Sequence, residues 1–305
     1  MKFSINNNIF TYSVIVLSFL LMASCSTDNE NPSPIGMYVS IPDAHFEAEL
    51  IEQGIDSDGV INQKILKTDA EKVTRLDLNL SSHFGEISDL TGIEEFVNIT
   101  FLSAVGQEIQ EIDLSSNTAL DTLLLSGNSL EKLDIRKNPN LILLDAQSNE
   151  LTSIKGLSDA KNLKKVNLSF NYFEEFSIDN QSIEALLISH NLLTSIDIEG
   201  ALNLKNVMLT SNQLTELVLQ TNLMLETLLL SDNKLSNLHL EYNFHLTHLY
   251  ISSNSLTGLD VSRNQKLIDL RADRNPDLTC IKIANSQEIP TVSLSDHQEL
   301  NTICN

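Results

Sequence analysis

The chain has 305 residues, 42% of them apolar, with 19 basic and 41 acidic residues, a formal net charge of −22 and no tryptophan. That length holds one or two globular domains or a single array of repeats, and 10 glycines with 6 prolines exclude a fibrous or low-complexity chain. The charge repels nucleic-acid phosphate and anionic lipid headgroups, so nucleic acid is not an expected partner, and cationic partners or bound divalent ions are favoured.

Residues 1–24 are expected to be an address and not part of the fold. Lys2 is the only charge there, and the apolar run Val14 to Met22 is too short to span a bilayer, as in a secretory signal. The sequence MASC, Met22 to Cys25, resembles the lipobox of bacterial lipoproteins, although leucine is commoner where Met22 stands. The resemblance implies that Cys25 is acylated and becomes the mature N-terminus; the alternative is an ordinary signal peptide whose cysteine happens to fall there. Residues 25–38 contain the polar, proline-bearing stretch Ser26 to Gly36, expected as a flexible tether. No aspartate follows Cys25 directly, and Asp28 with Glu30 resembles the acidic cluster of surface lipoproteins. An outer-membrane lipoprotein, exposed at the cell surface and touching the membrane only through its lipid, is what these features imply.

Residues 39–86 are expected to form an N-terminal cap. Phe46, Leu50 and Ile51 share one face of a helix that Gly54 stops, and Thr68 to Glu71 fits a capping box before Val73. Asp56, Asp58 and Gly59 match part of a calcium loop. In that register Gly54 and Ile65 occupy the first and twelfth positions, where acids belong, so a tight turn is expected and no metal.

Residues 87–279 are repetitive. Units beginning at Ile99, Leu120, Leu141, Leu163, Ile183, Leu204, Leu225, Leu246 and Leu267 are spaced by 21, 21, 22, 20, 21, 21, 21 and 21 residues. Each follows LxxLxLxxNxLxxLxLxxNxx. The six leucine-type positions of the eight full units are apolar in 47 of 48 cases, Gly156 being the exception. This pattern resembles the leucine-rich repeat proteins, in the bacterial nested form where two half-repeats make one unit. Ile154 to Leu163 and Ile87 to Ile99 resemble the internalin variety instead.

The resemblance implies a right-handed solenoid, a β-rich α/β horseshoe with one parallel sheet, a helical N-terminal cap and a C-terminal cap. Coils stack at the strand spacing of about 4.8 Å, hiding the leucines in a core that no single unit could bury. A buried asparagine is costly unless its amide is bonded. Asn128, Asn149, Asn171, Asn191, Asn212, Asn233, Asn254 and Asn275 recur at one position, with Gln107 ahead of them, and are expected to form a structural ladder. Residues 280–305 leave the pattern and are expected to cap the array. With Cys25 lipidated, Cys280 and Cys304 remain as a pair in an oxidising compartment, where they are expected to bridge.

No phosphate loop, dinucleotide fingerprint or catalytic triad is present, and no cofactor or enzymatic activity is expected. His245 and His248 with nearby His239 lack a cysteine or carboxylate to complete a metal site, and read as solvated histidines. Function is left to the variable positions. Between the two strand leucines, Leu187, Met208, Leu229 and Tyr250 form an apolar row on the expected concave face, flanked by His248 on one side and by Ser189, Thr210, Ser231 and Ser252 on the other. The row is either a protein-binding patch or a set of residues that merely support the sheet or pack inward. Asp113, Asp134, Asp197 and Asp260 in the second half-repeats read as a solvated outer face. The expected function is non-catalytic binding of a protein partner through the concave sheet, in surface recognition or adhesion. The alternatives are inhibition of a basic secreted enzyme and glycan binding in an outer-membrane uptake system.

Overall fold

The structure is a computed structural model that describes residues 36–79 and 85–304. The signal segment, Cys25 and most of the expected tether lie outside the described residues. The leucine repeat becomes a stack of three-residue strands for a simple steric reason. Alternate strand residues face opposite sides, so the middle residue of each strand points in and the outer two point out. In Ala185–Leu187, Asn206–Met208, Thr227–Leu229 and His248–Tyr250 the middle residues Leu186, Val207, Leu228 and Leu249 are fully buried. They sit opposite one another in parallel pairing.

Eleven three-residue strands form one sheet, from Arg75–Asp77 at one edge to Thr291–Ser293 at the other, where the middle residue Val292 is exposed. The sheet therefore runs beyond both ends of residues 87–279. Across the core, shorter parallel sheets form from the second half-repeats. Lys132–Asp134 pairs with Ser153–Lys155, Glu175–Ser177 with Ser195–Asp197, and Cys280–Lys282 lies between Leu259–Asp260 and Glu299–Asn301. The bond between Cys280 and Cys304 ties this last sheet to the residues after Glu299–Asn301.

Gly156 breaks the apolar pattern because its backbone has no room for a side chain. Its φ is +95°, a left-handed value that favours glycine, and a Cβ there would lie 2.6 Å from the carbonyl carbon of Ile135 and closer still to the Arg136 nitrogen. Two coils touch main chain to main chain at this point.

Two asparagine ladders hold the coils together. In the first, the Asn233 Nδ2 donates to the Leu209 carbonyl of the preceding coil at 2.9 Å and to the Leu230 carbonyl of its own at 3.0 Å. Its Oδ1 accepts the Leu214 N–H of the preceding coil at 3.0 Å. Asn128, Asn149, Asn171, Asn191, Asn212, Asn254 and Asn275 repeat this arrangement. Ahead of each asparagine from Asn149 on, the turn places a residue at positive φ, from Ser148 to Arg274. The ladder offsets that strain of about 1–2 kcal/mol per residue.

The second ladder is formed by Asn117, Asn138, Asn180, Asn222, Asn243 and Asn264, each donating twice to carbonyls of the preceding coil. The Oδ1 atoms of Asn117, Asn138, Asn222 and Asn264 accept no bond from the described residues. Asn233→Ala strands three backbone groups bonded within 3.0 Å and a fourth, the Ser231 carbonyl, at 3.4 Å, whereas Asn222→Ala strands two carbonyls. The expected losses of stability are therefore about 3 and 2 kcal/mol, measured as the shift in urea midpoint. Equal losses would mean that the Oδ1 bond contributes nothing.

The helix Ala44–Glu52 precedes the first coil. Asp43 caps it by accepting the N–H groups of His45 and Phe46, and the Phe46 ring packs 6.2 Å from that of Phe96. Its buried face differs from the expected one. Phe46 and Leu50 are buried, but Ile51 is only partly so, and Glu47 and Glu49 go under in its place. Glu47 is tolerated there because its carboxylate accepts the N–H groups of Asn62, Gln63 and Lys64. The expected capping box does not form. The short helix starts at Lys67, Thr68 lies inside it, and Leu66 caps without a side-chain bond.

Candidate functional site

The outward face of the eleven-stranded sheet is the candidate site. Leu187, Met208 and Leu229 occupy the third position of adjacent paired strands, half-buried, with their inward neighbours fully covered by the core. The row faces outward and does not pack into the solenoid. The three side chains span about 10 Å, two strand spacings.

Tyr250 continues the row but is not free. Its hydroxyl donates to Asp269 at 2.7 Å, and the Arg271 guanidinium lies 4.1 Å above its ring while bonding to Asp269 at 3.2 Å. The hydroxyl's bond to Asp269 raises the Tyr250 pKa above its ordinary value. The apolar run thus ends in a charged clasp supplied by the next coil.

Several flanking hydroxyls are engaged in the same coil-to-coil manner. The Ser189 Oγ accepts the Thr210 N–H at 3.1 Å, and Ser252 donates its hydroxyl to Asp273. Thr210 and Ser231 flank the row at the equivalent positions, half-buried. His248 bonds Thr247 at 2.9 Å, whereas His245 lies against Lys266 at 3.0 Å. No three His, Cys, Asp or Glu side chains converge as metal ligands among the described residues. In the calcium-like stretch, Asp58 accepts the Val60 N–H and the Asn62 amide, and Asp56 accepts the Asp58 N–H, which makes a hydrogen-bonded turn.

The aspartates of the second half-repeats have a structural task that the sequence did not reveal. Asp113, Asp134, Asp197 and Asp260 each accept the backbone N–H two residues on, at 2.8 to 3.1 Å, closing a turn. The Arg136 guanidinium bonded to Asp134 lowers its pKa to about 2 from 3.8. A carboxylate with a depressed folded pKa contributes stability that is full above the unfolded value and lost as pH falls through the folded one. Arg136→Ala should therefore bring the Asp134 titration, followed by NMR, back up towards 3.8. An unmoved titration would assign the shift to the turn N–H alone.

Two groups of exposed apolar side chains went unread in the sequence. On the turns leaving the sheet, Phe170 and Tyr172 are 52% and 53% exposed, and Phe170 stacks on His190 with ring centroids 4.3 Å apart. On the turns leading into it, Leu202, Leu223 and Phe244 recur in consecutive coils, with Met224 and Tyr242 beside them, all exposed. The signal was present as apolar letters at variable positions, spaced by 21 residues in the second group.

The stack of in-register parallel strands, one per repeat, over a leucine core makes the fold a leucine-rich-repeat solenoid. No protein-family model matches the chain, and no curated protein does. Among solved structures, it is similar to the functional domain of InlJ from Listeria monocytogenes, with 25% identity, a TM-score of 0.71 and coverage of 86% of this chain and 62% of that one. The chain therefore spans less than two thirds of that domain. It is similar also to the leucine-rich repeat domain of APL1, with 25% identity, a TM-score of 0.59 and coverage of 76% and 67%. An internalin C2 from Listeria monocytogenes shares 21% identity, with a TM-score of 0.55 and coverage of 84% and 94%. The InlJ domain includes a cysteine ladder; the stacked polar rows here are asparagines.

Proposed function

We propose that the chain is a non-catalytic protein-binding module that holds a partner on its concave sheet, in surface recognition or adhesion, anchored at the outer membrane by lipid on Cys25. The outward row Leu187, Met208 and Leu229 supports this reading most strongly. Three half-exposed aliphatics stand in register on a rigid sheet, where neither core nor ladder requires them. Regular coils fix these side chains before a partner arrives, which lowers the ordering cost of association. Inhibition of a basic secreted enzyme is the second reading, supported by the net charge of −22. The glycan reading loses its support on the row, because Arg271 covers the Tyr250 ring.

The test is capture of partners by the immobilised protein, compared with the form Met208→Glu/Leu229→Glu. A partner lost with this pair while the fold is kept supports the concave reading. A partner retained by both forms moves the site off the row. Lipidation is checked separately by mass spectrometry of the mature N-terminus, where an unacylated Cys25 would remove the anchor.

A further inference from the structure

We propose that the rim formed by the turns leaving the concave sheet is a second docking surface, independent of the concave row, and that it takes a basic segment of a protein partner carrying an apolar side chain. The rim is continuous from coil to coil. The Glu150 N–H donates to the Leu130 carbonyl at 3.0 Å, that of Tyr172 to Leu151 at 2.9 Å and that of Leu192 to Phe173 at 2.9 Å. Ser129, Glu150, Tyr172 and Leu192 are thereby placed side by side, one per coil.

Nothing in the fold calls for apolar residues on this rim. The position of Phe170 carries Ser148, Ser211 and Ser253 in other coils, and the position of Tyr172 carries Glu150, Gln213 and Ser255. Yet Phe170 and Tyr172 are more than half exposed, Leu192 is exposed beside them, and Phe170 is held in place by its stack on His190. A contiguous exposed patch of this kind marks an interaction site.

Charge identifies the occupant. On the N-terminal side the rim opens into a groove of about 850 Å³ whose lining includes Asp89, Glu111, Glu131 and Glu150 but no lysine, arginine or histidine. None of these four makes an ion pair among the described residues. An acidic groove running into an aromatic patch is complementary to a segment with arginine or lysine at one end and an apolar anchor at the other. A second copy of this chain would bring acid against acid at a net charge of −22 each.

The test uses the full chain and a fluorescein-labelled peptide with four arginines followed by one tryptophan and one leucine in a glycine-serine background, read by anisotropy. The double variant Phe170→Ser/Tyr172→Gln borrows residues that other coils carry at the same positions, so the fold should survive, as circular dichroism would verify. It should weaken binding by roughly tenfold or more. The triple variant Glu111→Gln/Glu131→Gln/Glu150→Gln should weaken it similarly and flatten its salt dependence. Met208→Glu/Leu229→Glu should not weaken it, which keeps this test separate from that of the concave row. The proposal is overturned if the native chain does not bind, if the Phe170/Tyr172 pair changes nothing, or if a peptide lacking tryptophan and leucine binds equally well. It is overturned also if the concave pair abolishes binding.

Discussion

Replacing Gly156 with leucine, one of the aliphatic residues that its repeat position carries in other coils, is expected to destabilise the protein by about 4 kcal/mol or more. The reasons are steric. Leucine at φ +95° is strained, and its Cβ would be driven into the main chain of Ile135 and Arg136. Neither effect is relieved by moving a side chain, because the neighbours in contact are backbone. The change restores the repeat pattern and removes stability, so the urea midpoint reads the argument cleanly. A midpoint at or above that of the native protein would show that the coil at Gly156 can open without loss.

Met208→Glu together with Leu229→Glu is expected to weaken partner binding by about 100-fold, about 3 kcal/mol, while leaving the unfolding midpoint nearly unchanged. Both side chains are half-exposed on the sheet while the core residues Val207 and Leu228 beside them are untouched. Carboxylates there stay solvated in the free protein and are desolvated only in the complex. Retained binding would move the site off the strands. A collapsed midpoint would instead mean that the row supports the sheet and is not displayed by it.

The leucine rows and the first asparagine row were legible because each is enforced at a single repeat position, and stacking turns sequence period directly into spatial neighbourhood. What escaped involves contacts between different positions. The clasp of Asp269 and Arg271 on Tyr250 reaches from one coil's strand to the next and depends on side-chain direction, so the row appeared to contain one more free apolar residue than it does. The turn-closing aspartates read as a solvated face because exposure and a backbone bond are compatible in the same carboxylate. Gly156 showed only as an exception, since its cause lies in the main chain of the coil beneath it. At the N-terminal end, where no repeat supplies redundancy, Thr68 suggested a cap that does not form. There too Glu47 is buried through backbone donors that lie 15 to 17 residues away. The exposed residues Phe170 and Tyr172 were visible as letters, but the repeat leaves their positions free, so the pattern itself gives no sign of their exposure.

Photo-crosslinking from single positions of the full chain in the cells that produce it tests the account most directly. A photoreactive phenylalanine analogue placed at Met208 on the concave sheet is compared with the same group at Asp197 on the opposite side of the coil. The account predicts a discrete crosslinked protein from position 208 and none from 197. The same adduct from position 197, with nothing from 208, would contradict it.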